Sequence, residues 1–195
     1  MKKTIANESD PRIVKTKKQL LQAFKELLLL YDDFMNITVK ELCDKAGVSR
    51  KTFYFHFNQV DELLSIVEDE YIKDFYERTK DFDYFQDLEK IVEAYFDLNE
   101  SVPLYKKIAT SSVYFYNKEF FRKKAISYFV SKGKIFINDK LSATAKDFLF
   151  YYYDLTMYTM YKRWVIKKYP LSKEEAITLT ANLLRNGVSS LANDQ

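Results

Sequence analysis

Thr38-Val-Lys-Glu-Leu-Cys-Asp-Lys-Ala-Gly-Val-Ser-Arg-Lys-Thr-Phe-Tyr-Phe-His-Phe57 reads as two short helices joined by a tight turn. Thr38 followed three residues later by Glu41 is a capping box, the hydroxyl meeting one free backbone N–H and the carboxylate another. Val39, Leu42, Cys43 and Ala46 recur at i, i+3, i+4 and i+7, a narrow stripe to be buried. Gly47 supplies the positive φ that a tight interhelical turn needs, Val48 plugs the turn, and Ser49 caps the next helix. On that helix Phe53 and Phe57 fall together and face inward. Lys51 and Phe55 fall opposite, flanked by Thr52 and Tyr54. An outward phenylalanine is costly in water unless something covers it. This is the layout of a helix-turn-helix, whose second helix enters the major groove of DNA.

Working outward, residues 1–10 are polar and read as a frayed end, with Lys2 and Lys3 within it. A first helix is expected from about Pro11 to Tyr31, with Ile13, Leu20, Phe24, Leu27 and Leu28 on one side. Asp32-Asp33 ends it, and Phe34 to Ile37 forms a connector. A fourth helix, about Val60 to Lys80, carries Leu63, Leu64, Val67, Tyr71 and Phe75. Later helices are expected at about 84–98, 103–110, 117–137, 143–168 and 173–191. Residues 148–166 are apolar or aromatic almost all round, which predicts burial on more than one side. The final helix shows a broad stripe of Ala176, Ile177, Thr180, Leu183, Leu184, Gly187, Val188 and Leu191. Surplus apolar surface on two final, antiparallel helices predicts a homodimer seam, a four-helix bundle.

Composition agrees with an all-α chain: 195 residues hold only 3 Gly and 3 Pro. The net charge is +3, but residues 1–60 carry 11 Lys and Arg against 7 Asp and Glu, which leaves the remainder at −1. The excess positive charge therefore lies with the helix-turn-helix. One cysteine excludes an internal disulfide and fits a reducing cytoplasm. Met1-Lys-Lys-Thr-Ile-Ala-Asn-Glu8 is not followed by an apolar core, so no secretory signal is expected. The longest apolar run, Phe148 to Tyr153, is six residues, too short to span a bilayer.

The stretch resembles the TetR family of bacterial transcriptional regulators. Thr38-Val39, Leu42, Ala46-Gly47-Val48-Ser49, Tyr54-Phe55-His56-Phe57 and Asp61-Glu62-Leu63-Leu64 carry the resemblance, which covers about residues 12 to 65. It implies a three-helix DNA-binding domain at 1–60 and a helical ligand-binding and dimerisation domain at 61–195. It also implies a homodimer, joined through the last two helices, that binds an inverted-repeat operator as a repressor and is released by a small effector. By that similarity, the backbone near Thr38 and the side chains of Tyr54 and His56 hold phosphates. Ser49, Arg50, Lys51, Thr52 and Phe55 belong to the same DNA-binding set; Arg50, Lys51, Thr52 and Phe55 stand where base edges or sugars are touched. One position departs: Gln59-Val60 stands where the family often has a Ser/Asn-Lys pair, which removes one phosphate contact and an N-cap.

The residues themselves support this chemistry unevenly. Arg50 and Lys51 at a helix start suit guanine O6 and N7, while Tyr54 and His56 offer neutral donors to phosphate oxygens. Thr52 bonds DNA or caps its own helix. His56 is the only histidine, so no histidine-rich metal site is expected, and no cofactor. Cys43 reads as a small buried hydrophobe. No Gly-rich phosphate loop and no Gly-x-Ser-x-Gly appears, so an enzyme is not expected. Of 33 aromatics, 26 lie after residue 60. Tyr105, Phe115, Tyr116, Phe120, Tyr128, Tyr152, Tyr153 and Trp164, with Phe121, Phe129 and Tyr158, are candidates for an apolar pocket taking an apolar or aromatic effector. The competing expectation is an effector-free relative acting through a protein partner, with a filled body and an exposed apolar patch.

Overall fold

The computed structural model describes residues 10–84, 86–111, 118–133 and 142–186. Its helices are α1 (Pro11–Leu30), α2 (Val39–Ala46), α3 (Arg50–His56), α4 (Asp61–Thr79), α5 (Leu88–Ser101), α6 (Pro103–Thr110), α7 (Lys118–Ser131), α8 (Ala143–Lys167) and α9 (Lys173–Asn186), with a 3-10 turn at Phe34–Asn36. No strand occurs among the described residues. The chain is all-α, an N-terminal helix-turn-helix unit followed by a helical body. Lys2, Lys3, Phe115, Tyr116, Gly187, Val188 and Leu191 lie outside the described residues.

Local chemistry sets the helix ends. Asp10 caps α1 by accepting from the Arg12 N–H at 2.8 Å, with Pro11 in the first turn. Val102 adopts the extended backbone that a following proline favours, and Pro103 opens α6. The helix expected from residue 84 starts only at Leu88. The Gln86 N–H bonds the Asp83 carboxylate and the Asp83 N–H bonds Asp87, so aspartate turns hold that backbone instead. The helix expected to reach 137 stops at Ser131, before Gly133 with φ +73°.

Two apolar clusters hold the chain together. One joins Leu20, Phe24 and Leu28 of α1 to Leu42, Cys43, Phe53 and Phe57, and to Leu63, Leu64 and Val67 of α4. Leu98, Leu104 and Tyr105 of α5 and α6 belong to it, so packing runs across residue 60. The other gathers Ile91, Val92 and Phe96 of α5 with Met157 and Tyr161 of α8 and Ala176, Ile177 and Ala181 of α9. Tyr71 and Phe75 of α4 touch both, which makes α4 a wall of the reader and of the body. The ion pair Lys25–Glu70 ties α1 to α4, and Lys107–Asp32 ties α6 to the segment that follows α1.

The long helix α8 differs from its expected burial. Met157, Tyr158 and Tyr161 are buried, but Phe148, Leu149, Tyr152 and Ile166 face solvent. Of these, Tyr152 still reaches α9, its hydroxyl donating to the Leu183 carbonyl. The buried residues of α9 pack on α5 as well as α8, so the last helix is not paired with α8 alone.

Candidate nucleic-acid interface and body cavity

The reading helix is placed by its own caps and anchors. Thr38 caps α2, its hydroxyl accepting from the Glu41 N–H at 3.2 Å. The reciprocal half of the capping box is not made: Glu41 Oε1 accepts from the Tyr31 hydroxyl at 2.6 Å. That bond fastens α2 to the end of α1, a tertiary partner outcompeting a local one. Gly47 takes φ +67° at the C-cap, and its N–H and that of Val48 return to α2 carbonyls. Ser49 then caps α3, accepting from the Thr52 N–H at 3.1 Å. Phe53 is fully buried and Phe57 nearly so, against α1 and α4.

With that face anchored, the opposite face looks outward. Arg50 and Lys51 are exposed, Tyr54 is 56% exposed and Phe55 61%. Thr52 is half-buried and its hydroxyl lies 2.8 Å from Ser49 Oγ, so it is engaged in the cap. The Phe55 ring stands edge-on to His56, with 5.0 Å between ring centres. Burial, and then the charge of Lys17, holds the His56 imidazole below its usual range, so it is neutral at pH 7. At the start of α4, Val60 makes no side-chain cap, as Gln59-Val60 implied. Glu62 instead accepts from the Asn58 N–H at 3.1 Å and from its side-chain amide at 2.7 Å. Cys43 sits in the α1–α4 core, where burial pushes its thiol up.

The body holds a cavity of about 380 Å³ among α4 to α9, partly open to solvent. Tyr153 lines it, together with Phe121 and Phe129. The other described candidates are placed elsewhere. Tyr105 is buried against Tyr71 and donates to Asp74 at 2.7 Å. Phe120 and Tyr152 are exposed, Tyr152 donating to the Leu183 carbonyl. Tyr128 stacks edge-on to Tyr76. Trp164 packs on Phe96 and donates to the Leu171 carbonyl. Tyr158 is buried and accepts from Lys162 at 2.9 Å, and its hydroxyl is pushed up to about 12 by burial and then Asp154. Helical periodicity identified aromatic-rich helices but not which face of each turns toward the common centre.

Polar groups in the wall were missed in the sequence. Asn99 and Arg122 are buried there. Asn99 donates to the Tyr95 carbonyl at 2.7 Å and to the Tyr71 hydroxyl at 3.1 Å. Arg122 donates to Asp147 at 2.6 Å and to Glu119 at 2.7 Å. An Asn amid apolar positions of one helix, and an Arg three residues after a Glu, were the available signals. Among the described residues no helix is long and apolar enough to cross a membrane, and no group of His, Cys, Asp or Glu gathers as metal ligands.

No protein-family model matches the chain. Over 55 residues, 28% of its length, it is 36% identical to an uncharacterized HTH-type transcriptional regulator, YxbF, of Bacillus subtilis (strain 168). The match spans 14% of that protein, so the chain corresponds to a small part of this relative. Its fold is similar to that of the fatty acid degradation regulator FadR from Bacillus halodurans, with a TM-score of 0.58 over 89% of this chain and 96% of that one at 14% identity. The dihydroxyacetone kinase operon activator DhaS gives a TM-score of 0.45 at 24% identity, over 88% and 94% of the two chains. Over part of its length the chain is thus homologous to a helix-turn-helix transcriptional regulator.

Proposed function

We propose that the chain is a TetR-like transcriptional repressor, acting in the cytoplasm, in which residues 1–60 read DNA and residues 61–195 bind an effector and dimerise. The observation that carries this reading is the two-faced α3: Phe53 and Phe57 lock it to the core while Arg50, Lys51, Tyr54 and Phe55 stand free to meet a groove. Arg50 and Lys51 suit base edges, Tyr54 and neutral His56 suit phosphates, and Phe55 suits a thymine methyl. Thr38, Ser49 and Thr52 position the helices through their caps.

The exposed apolar face of α8 supports a homodimer, and two reading heads then meet an inverted repeat. The cavity favours a small-molecule effector over a protein partner, because its size lies in the range of ligand pockets. An effector acts by binding the DNA-free and DNA-bound states differently, and α4, a wall of both parts, is the connecting element.

The test is selection of genomic fragments on the purified protein, then salt titration of the best one. One enriched inverted repeat with a steep salt slope is expected. Lys51→Ala combined with Tyr54→Phe lowers operator affinity at least about tenfold and flattens that slope. Unchanged affinity in the double variant assigns reading to another element.

A further inference from the structure

We infer that Lys17 of α1 contacts a DNA phosphate, on the strand that passes the C-terminal end of α3. This rests on the reading of α3 as the groove helix and adds a contact made from another helix. A helix seated in the major groove runs between two phosphate strands. The end of α3 that bears Arg50 and Lys51 is cationic. The other end is not: His56 is neutral at pH 7, Phe57-Asn-Gln-Val60 carries no charge, and Asp61 and Glu62 follow. A cation for the strand at that end must come from another element.

The first helix supplies one. Its buried Leu20 and Phe24 share a core with Phe53 and Phe57, so this side of α1 packs on α3. Lys17 stands one turn before Leu20 on the same side, because residues three and seven apart fall together on a helix. It is half-buried, while Lys15 and Lys18, on the far side of α1, are exposed. Burial first and the Lys17 charge second lower the His56 imidazole, which puts the ammonium beside the last residue of α3.

That ammonium makes no hydrogen bond or ion pair among the described residues, and α1 holds no carboxylate before Glu26. A side chain whose stem lies on protein and whose charged tip is unpaired suits a phosphate oxygen. Lys17 brings to this end of the reader the charge that His56 lacks.

Binding of the full chain to a fluorescently labelled duplex of mixed sequence tests this, since a phosphate contact needs no particular base. Anisotropy is followed between about 50 and 200 mM salt. Lys17→Gln is expected to weaken binding about three- to tenfold at mid-range and to flatten the salt slope by about 0.9 for each bound head. Lys17→Arg keeps the parent's slope. Lys15→Gln removes the same charge about 160° round the helix and leaves the slope unchanged. A slope unchanged in Lys17→Gln, or flattened equally in Lys15→Gln, overturns the inference. Without DNA, the single histidine reports the placement by proton NMR. In Lys17→Gln the His56 imidazole titrates at a higher pH than in the parent, and an unmoved titration also overturns the inference. If Lys51→Ala with Tyr54→Phe weakens binding and Lys17→Gln does not, the groove helix stands and this contact falls. If only Lys17→Gln weakens it, the phosphate contact stands and α3 loses its role. A parent chain that binds no duplex overturns both.

Discussion

Ser49 shows how much of the reader depends on single atoms. Its hydroxyl accepts from the Thr52 N–H and touches the Thr52 hydroxyl, so one oxygen starts α3 and fixes its neighbour. Ser49→Ala is expected to cost about 1 kcal/mol, read as a lower urea midpoint. His56 gives a pH signature. Its folded pKa lies below the ordinary value of 6.5, through burial first and the Lys17 charge second. For such a base the neutral form belongs to the folded state. Its contribution is present in full above about pH 6.5 and is lost as pH falls through the depressed folded value. The drop in stability between pH 7.5 and 5.5 is therefore smaller in His56→Asn than in the parent, measured by urea unfolding at both pH values.

At the scale of elements, the turn between α2 and α3 sets the angle of the reading helix. Gly47 has φ +67°, and a Cβ built there meets nothing within 4 Å. Gly47→Ala therefore adds backbone strain and no clash, at about 1–2 kcal/mol, and unfolding is expected to show a lower midpoint while the fold is retained. A larger loss would mean that the turn carries tension from the helices around it. The α2 capping box is half made because Tyr31 takes Glu41. The sequence contained both halves, but spacing along one helix cannot report a hydroxyl arriving from another. The aspartate turn before Leu88 is the same lesson, since its residues fit a helical pattern and their side chains bonded backbone instead.

At the scale of the molecule, the second face of α8 governs assembly. Phe148 is 72% exposed, with Leu149, Tyr152 and Ile166 exposed beside it, an unusual load of apolar surface for a single chain in water. Phe148→Asp combined with Ile166→Asp is expected to yield a monomer in sedimentation equilibrium. Helix content should stay unchanged, because neither side chain supports the buried core. A parent chain that sediments as a monomer at micromolar concentration would remove the dimer from the proposal. Operator affinity should fall with the dimer, since one reading head meets one half-site.

The sequence by itself determined the two short helices, their caps, the turn at Gly47 and the split of α3 into a buried and an exposed face. All of these follow from backbone hydrogen-bonding needs and a 3.6-residue period within about twenty residues. It also carried the all-α class, because low Gly and Pro leave few breaks and the apolar spacing is helical throughout. Tertiary structure alone decided the cavity. Tyr153 reaches it and Tyr105, Phe120, Tyr128, Tyr152 and Trp164 do not, since each helix turns only one side to the shared centre and that rotation is set by packing against its neighbours. It alone brought Asn99 and Arg122 into an apolar wall and joined α4 to both cores. Contacts between residues far apart in the chain come from how surfaces fit, and no local period encodes them.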